Sequence, residues 1–261
     1  MELFHAVLSS GSIGNCYVFY DGDTAILIDQ GFSLIELRRR LSKVHVPMDK
    51  VSAVFLTHFH PDHSKGLGVI SRKLSTPLFI NEEAIEGEQK VFEKLNLPPL
   101  CVNPIQVGQI TNVGKFKITA FATSHDSKGS VGYFIQNNGT NCTVITDTGV
   151  VDETMKNFAG NSDYLFLEAN YDKHMLINGP YPQFLKRRVD GNWGHLSNDQ
   201  AFDFIKDSEF HGKGVYFVHL SRNNNSVDIV DEMADECLAG IKYITCPRGE
   251  LIVTSEGKIE Y

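Results

Sequence analysis

Four residues able to ligate a metal fall within six positions of Thr57-His58-Phe59-His60-Pro61-Asp62-His63. The segment directly follows the apolar run Val51-Ser52-Ala53-Val54-Phe55-Leu56. Side chains alternate along an extended chain, so His58 and His60 leave the same face. Pro61 ends the extension and suits the first position of a helix, which puts Asp62 and His63 on its opening turn. Imidazoles and a carboxylate gathered in this way can hold a divalent cation through nitrogen and oxygen. Incidental histidines in a polar loop would not keep such fixed offsets, and we read the segment as a metal site.

Strand ends are where α/β folds place chemistry, so the other ligand-type residues were sought at the ends of apolar runs. Five meet that condition. Asp29 closes Ala25–Ile28, His125 follows Thr119–Ser124, and Asp147 follows Thr143–Thr146. Glu168 ends Tyr164–Leu167, and His219 ends Val215–Val218. Together with the histidine cluster they describe the rim of an active site.

The elements that must carry these residues can be read in order. Short strands at Leu3–Leu8, Cys16–Tyr20 and Thr24–Asp29 open the chain, with Asp21-Gly22-Asp23 as a turn. Between the first two lies a Gly/Ser loop, Ser9–Asn15, able in principle to cradle a phosphate but more commonly a plain turn. Ser33 is placed to cap a helix reaching His45, with Leu34, Leu37 and Leu41 on one face and Arg38, Arg39 and Arg40 mostly solvated. Helices are expected over Ser64–Leu74 and Glu82–Leu95, and strands at Pro77–Ile80, Phe116–Ala122, Val131–Gln136 and Cys142–Thr146. A second series follows: helix Asp152–Phe158, strand Tyr164–Glu168, and an irregular stretch through Tyr181 and Trp193. It continues with helix Ser197–Asp207, strand Gly214–His219, helix Ser226–Leu238, and strands near Tyr243–Cys246 and Glu250–Thr254. Hairpins that give way to alternating strands and helices, twice and without a linker, indicate one α/β domain over residues 1–261, with two packed sheets and helices outside.

At 261 residues, 42% hydrophobic and 21% charged, the chain can bury a full core. A net charge of −8 argues against a broad basic face of the kind that coats duplex nucleic acid. It leaves room for a nucleic-acid substrate where metals and a local basic patch supply the field. The five cysteines (Cys16, Cys101, Cys142, Cys237, Cys246) are scattered and never in CxxC spacing, which fits reduced core thiols. With no signal-like N-terminus and no run of membrane-spanning length, the expected location is cytoplasmic.

The ordered set His58-x-His60-x-Asp62-His63, His125, Asp147 and His219 resembles the metallo-β-lactamase superfamily. The resemblance covers essentially the whole chain and implies an αββα sandwich with two divalent metal ions between the sheets, zinc or manganese, with iron also suited to the ligands. It implies that His58, His60 and His125 hold one metal, that Asp62, His63 and His219 hold the second, and that Asp147 bridges. Asp29 matches the first motif, whose carboxylate orients a ligand histidine. Leu167–Asp172 with Gly194–Asn198 resembles the Glu and His pair of ribonuclease-Z-like phosphodiesterases, here Glu168 and His195. Ser10–Cys16, Tyr181-Pro182, Gly194–Asn198 and Val218–Asn225 are similar to the YycJ/WalJ group, which implies a metal-dependent nuclease with 5′-to-3′ exonuclease action on DNA. Asp147 and His219 are 219 − 147 = 72 residues apart, which leaves no room for a β-CASP insert. No long Gly/Pro-rich arm for gripping tRNA is visible either.

The implied chemistry is in-line attack on phosphorus by a hydroxide bridging two cations roughly 3.5–4 Å apart. Asp62 would orient that nucleophile, and His195, its tautomer fixed by Glu168, would protonate the leaving oxygen or bind a phosphate oxygen, the plain alternative being a residue that merely precedes the helix at Ser197. Lys186-Arg187-Arg188 and Arg222 bracket the site and could contact the phosphate backbone, although charge runs commonly mark a solvated helix face. Tyr171, Tyr181 and Trp193 could stack on bases but read better as packing. Rival readings are a small or cyclic phosphodiesterase, an ester, thioester or lactone hydrolase, and a non-catalytic metal-binding regulator. The Glu168/His195 pair favours phosphodiesters, and the basic cluster favours a polymer. No membrane partner is expected.

Overall fold

The computed structural model describes residues 3–249, 251–254 and 257–260. β1 (Phe4–Ser9), β2 (Cys16–Tyr20) and β3 (Ala25–Ile28) form an antiparallel meander. Asp21 makes the β2–β3 turn by accepting the amides of Asp23 and Thr24 on one carboxylate oxygen, at 2.9 and 2.8 Å. α1 (Leu34–Lys43), capped by the Ser33 hydroxyl, returns the chain to β4 (Val51–Phe55), parallel to β3. α2 (Pro61–Ser64), α3 (Leu67–Leu74), β5 (Leu78–Asn81), α4 (Glu82–Gly87), α5 (Gln89–Leu95) and β6 (Val102–Ile105) complete this half.

The second half repeats the plan. β7 (Ile110–Val113), β8 (Phe116–Ala122), β9 (Val131–Asn137) and β10 (Thr140–Ile145) are antiparallel. α6 (Glu153–Gly160), β11 (Tyr164–Glu168), α7 (Lys173–Asn178), α8 (Gln183–Val189), α9 (Asn198–Asp207), β12 (Gly214–Val218), α10 (Val227–Cys237) and β13 (Lys242–Thr245) follow, with the strands now parallel. The chain then crosses back, and β14 (Leu251–Thr254) and β15 (Gly257–Glu260) extend the first sheet beyond β1. The sheet orders are β15-β14-β1-β2-β3-β4-β5-β6 and β13-β12-β11-β10-β9-β8-β7.

Both faces of the inner strands are apolar because both are covered. Tyr17, Phe19, Ile26, Ile28, Phe55, Tyr133, Val144 and Phe166 meet between the sheets. Their alternate neighbours Val18, Leu27 and Val54 pack under Leu37, Leu41 and Ile70 of α1 and α3. Leu165, Leu167 and Phe217 pack under Met155, Phe202, Ile205 and Val230 of α6, α9 and α10. The result is an αββα sandwich, in which each fully buried large apolar side chain contributes about 1.5–3 kcal/mol.

Several expectations change. The helix expected over Ser64–Leu74 divides at Gly66, because the chain there presses on Phe32 O and Gln30, where a Cβ would meet oxygen at 2.2 Å. The helix expected over Glu82–Leu95 breaks at Glu88, whose φ of −118° and ψ of 36° are not helical. The stretch read as irregular holds α7 and α8, the first capped by Asp172, whose carboxylate accepts Met175 N–H at 2.7 Å. β6 and β7 were not anticipated, and Pro104 is tolerated in β6 because it is an edge strand. Arg40 is buried rather than solvated, since it shares a helix face with Leu37 and Leu41 and bonds the carbonyls of Leu8 and Gly249. Four cysteines are buried thiols, whereas Cys237 is exposed. Glu250 of the expected strand Glu250–Thr254 lies outside the described residues. Among the described residues, no helix is long and apolar enough to cross a membrane.

Candidate metal centre

Strands of both sheets deliver their C-terminal ends to one place. Asp29 and His219 directly follow β3 and β12, and Asp147 follows β10 after one intervening residue. Each takes a left-handed backbone, with φ of 63° at Asp29, 58° at Asp147 and 56° at His219. That conformation is uncommon for residues other than glycine, and it turns the chain sharply out of the sheet at the moment a ligand-type side chain appears. β4 runs into His58 and His60, and α2 opens at Pro61, presenting Asp62 and His63.

Ligand atoms of His58, His60 and His125 lie within 4.8 Å of one another, as do those of Asp62, His63 and His219. Asp147 links the two groups. Its Oδ2 is 3.3 Å from His63 Nε2, and its Oδ1 is 3.6 Å from both His125 Nε2 and His219 Nε2. Two side chains and one backbone carbonyl hold the far nitrogens of the rings. His63 Nδ1 is 2.7 Å from Asp29 Oδ2, His58 Nδ1 is 3.0 Å from Thr57 Oγ1, and His125 Nδ1 donates to Gly194 O at 3.0 Å. Asp29 is itself fixed by the amide and hydroxyl of Thr57.

Two observations test whether these residues suit metal ions. His58 Nε2 and His219 Nε2 are buried with no hydrogen-bond partner, a costly state for a polar atom unless something binds it. The local charge is also unbalanced. Burial opposes a charge on His219, yet Asp147, Asp62 and Glu168 hold its imidazole up at about 10. Burial likewise opposes protonation of His63, which Asp147, Asp29 and Asp62 nevertheless hold well above the usual imidazole range. Burial, reinforced by His63, pushes His58 the other way. Asp147 and Asp62 stay below the carboxylate range despite burial, because His219 and His63 face them. The protons on His63 and His219 thus supply positive charge that a divalent cation could replace. The nitrogen and oxygen donors fit zinc, manganese or iron.

Beside this cluster sits His195. Its Nδ1 is 3.1 Å from Oε2 of the fully buried Glu168, whose Oε1 accepts the amides of Thr148 and Leu196 at 2.8 and 3.1 Å. The ring lies between His125 and His219, at centroid distances of 5.1 and 5.4 Å, and lines a cavity of about 250 Å³ with His60, Asp62, His125, Asp147 and His219.

Arg188 and Arg222 line the same cavity, Arg188 with its Nε on Asp126. Lys186, which bonds Ile177 O, and Arg187, which is exposed, are not brought to it. Tyr171 is buried as packing, and Tyr181 lines the cavity. Trp193, read as packing, is 65% exposed, on a segment whose Asn192 and Gly194 carbonyls are held by Ser124 and His125. Nor does the Gly/Ser loop present itself as a phosphate cradle. The backbone amides of Gly11, Gly14 and Asn15 are spent within the protein, and the side-chain Nδ2 of Asn15 reaches His63 Nε2 at 2.9 Å. Asn15, Asn170 (3.2 Å from His219 Nδ1) and Asp126 (3.4 Å from His60 Nε2) were missed by sequence reasoning. Their adjacency to Cys16, Ala169 and His125 at the same strand ends was the available signal.

Residues 24–220 match the family model described as the β-lactamase superfamily domain. The chain is 32% identical over 233 residues to the exodeoxyribonuclease YycJ of Bacillus anthracis, covering 88% of this chain and 86% of that one. It is 30% identical over 224 residues to the exodeoxyribonuclease WalJ of Streptococcus pneumoniae, covering 85% and 82%. Among solved structures, the metallo-β-lactamase fold protein YhfI of Bacillus subtilis superposes with a TM-score of 0.72 at 19% identity, over 97% of this chain and 99% of that one.

Proposed function

The chain belongs to the metallo-β-lactamase superfamily, in the group of the YycJ and WalJ proteins, and from that premise we propose that it is a metal-dependent phosphodiesterase acting on nucleic acid, a 5′-to-3′ exonuclease on DNA. The observation that carries the reading is His195, which belongs to neither three-residue group above, lies within ligand reach of Asp147 and His219, and has one ring nitrogen held by a buried carboxylate. In this reading His58, His60 and His125 hold one divalent ion, Asp62, His63 and His219 hold a second, and Asp147 serves both. Such ions supply Lewis acidity, which acidifies water and offsets charge on phosphoryl oxygens.

The protein's own contributions follow from the hydrogen bonds. Asp62, anchored by Asn15, orients the attacking water. Glu168 fixes Nδ1 of His195, which leaves Nε2 as the nitrogen that hands a proton to the departing oxygen. Asp29 and Thr57 keep the rings of His63 and His58 aimed at the centre. Arg188 and Arg222, at the cavity wall, suit the charge of a phosphate backbone.

The test is turnover of end-labelled single- and double-stranded DNA and RNA, with bis-p-nitrophenyl phosphate alongside, by protein loaded with manganese or zinc and by protein in EDTA. Stepwise shortening of DNA from its 5′ end, abolished by EDTA, is expected. Turnover of the small diester alone would replace the polymer by a small phosphodiester. Turnover of neither by metal-loaded protein would put an ester hydrolase or a non-catalytic role ahead.

A further inference from the structure

The cavity at the metal centre does not end at its own wall. Ser12, Leu220 and Arg222 also line a neighbouring cavity of about 490 Å³, whose far side is Arg248 and the Ser226–Val227 start of α10. Ile13 lines both that cavity and a third, of about 910 Å³, between α1 and α3. Ser12, Leu220 and Arg222 thus stand between the first two cavities and Ile13 between the second and third, so the three lie side by side in a row leading away from the site, a groove with Ile13 at its waist.

The groove is basic in a protein of net charge −8. Arg222 and Arg248 border its first part, and Arg38, Lys65 and Lys73 its second. Among the described residues none of these five takes part in an ion pair. The one acidic residue along the two neighbouring cavities, Glu36, is engaged by Arg40 at 2.8 Å and Arg39 at 3.6 Å. Three helices also open onto it with their N-terminal ends: α1 through Leu34 and Ile35, α3 through Gly66, and α10 through Ser226 and Val227. Each such end carries partial positive charge, with the Glu36 and Ile229 amides of α1 and α10 already taken by the Ser33 and Ser226 hydroxyls. The aliphatic stem of Arg248 lies over Gly11 of the site loop, where an added Cβ would stand 3.2 Å from its Cγ. Ile13 and Ile35, 63% and 81% exposed, give the groove nonpolar edges.

Unpaired cations from four elements, three helix N-termini and nonpolar edges, continuous with a phosphodiester-sized cavity, suit one kind of occupant. We infer that this groove is the track for a single polynucleotide strand, holding the nucleotides beyond the scissile phosphate by their backbone and leaving sugar and base faces against Ile13 and Ile35. The inference rests on the nucleic-acid reading of the site and extends it. It makes the enzyme prefer polymers over dinucleotides in a protein of net charge −8.

The test separates the groove from the chemistry. Full-length metal-loaded protein is titrated into fluorescently labelled, cleavage-resistant phosphorothioate dT20 and dT4, and anisotropy is read across salt concentrations. Arg38→Gln/Lys73→Gln/Arg248→Gln is expected to bind dT20 at least tenfold more weakly and to lower the log–log salt slope by about 2, at roughly 0.7 per phosphate contact. Binding of dT4 and hydrolysis of bis-p-nitrophenyl phosphate are expected to stay within about twofold. Arg38→Lys/Lys73→Arg/Arg248→Lys should bind dT20 as the parent does. A parent that fails to bind dT20, a Gln variant that binds it equally well, or an equal loss on the small diester overturns the track. Self-association through this face with no dT20 binding assigns it instead to a second copy of the chain. A protein that binds dT20 through these residues but cleaves no DNA retains the track and refutes the exonuclease reading.

Discussion

Asp29 Oδ2 lies 2.7 Å from Nδ1 of His63, and both side chains are fully buried. A carboxylate at the end of β3 thereby fixes a ring that begins α2, and the same carboxylate takes the amide and hydroxyl of Thr57. Asp29→Ala should therefore loosen His63 and the chain entering His58 together. Metal affinity is expected to fall about 10–100-fold, the usual effect of removing the partner that orients a ligand. Competition with a chromogenic chelator, checked by elemental analysis after dialysis, measures this. Metal retention equal to the parent would show that the pair does not hold the centre.

His195 belongs to neither of the two histidine groups, but its ligand atoms lie within 4.8 Å of those of Asp147, Glu168 and His219, with Nδ1 3.1 Å from Glu168 Oε2 and 3.6 Å from Asp147 Oδ1, so metal content must be read beside turnover. His195→Gln should accordingly lower phosphodiester turnover about 10²–10⁴-fold, the range for a lost general acid, while metal content stays unchanged. Substituting Glu168 would be less informative, because its Oε1 also binds the amides of Thr148 and Leu196. Parent-like turnover by His195→Gln would remove the histidine from the reaction.

Arg40 gives a prediction about stability. It is 4% exposed, pairs with Glu36 at 2.8 Å, and bonds carbonyls of Leu8 and Gly249 that lie far apart in sequence. Arg40→Met keeps the stem but strands those acceptors, so a loss of about 2–4 kcal/mol is expected in urea unfolding. Arg38→Met, on the exposed side of α1, should stay within about 0.5 kcal/mol. Similar losses for both would mean that Arg40's buried bonds contribute little.

What the sequence revealed and what it hid divide along a physical line. Asp29, His125, Asp147, Glu168 and His219 were legible because apolar strands are easy to delimit and each residue stands at the end of one or within three residues beyond it. The strands β2, β3 and β11 themselves were equally legible, since burial on both faces demands continuous apolar runs. Arg40 was not, because its partners come from β1 and the segment after β13, contacts that exist only after folding. Asn15 and Asn170 escaped for a related reason, since a lone asparagine beside a strand has no pattern until a histidine is seen against it. α7 and α8 were obscured by Gly179-Pro180-Tyr181-Pro182, breakers that separate two short helices rather than mark a loop. Trp193 misled because its neighbours in the chain are bound tightly while its side chain is not.

His5 links the fold to pH away from the metal centre. It shares the inward face of β1 with Leu3 and Val7, packs 4.2 Å from the Tyr164 ring, and sits 3.0 Å from Tyr216 Oη. Burial pushes its imidazole down to about 4. The unfolded chain takes up that proton near 6.5, so the contribution of neutral His5 is complete above that pH and is lost as pH falls from 6.5 through 4. By pH 5 the linkage amounts to about 2 kcal/mol. His5→Gln keeps a hydrogen-bonding group for Tyr216 but cannot titrate. Urea unfolding at pH 7 and pH 5 is expected to show the parent losing about 2 kcal/mol more than the variant. The centre's own histidines titrate in both proteins and cancel in that difference. Parallel losses in the two would show that His5 keeps its ordinary affinity for protons inside the sandwich.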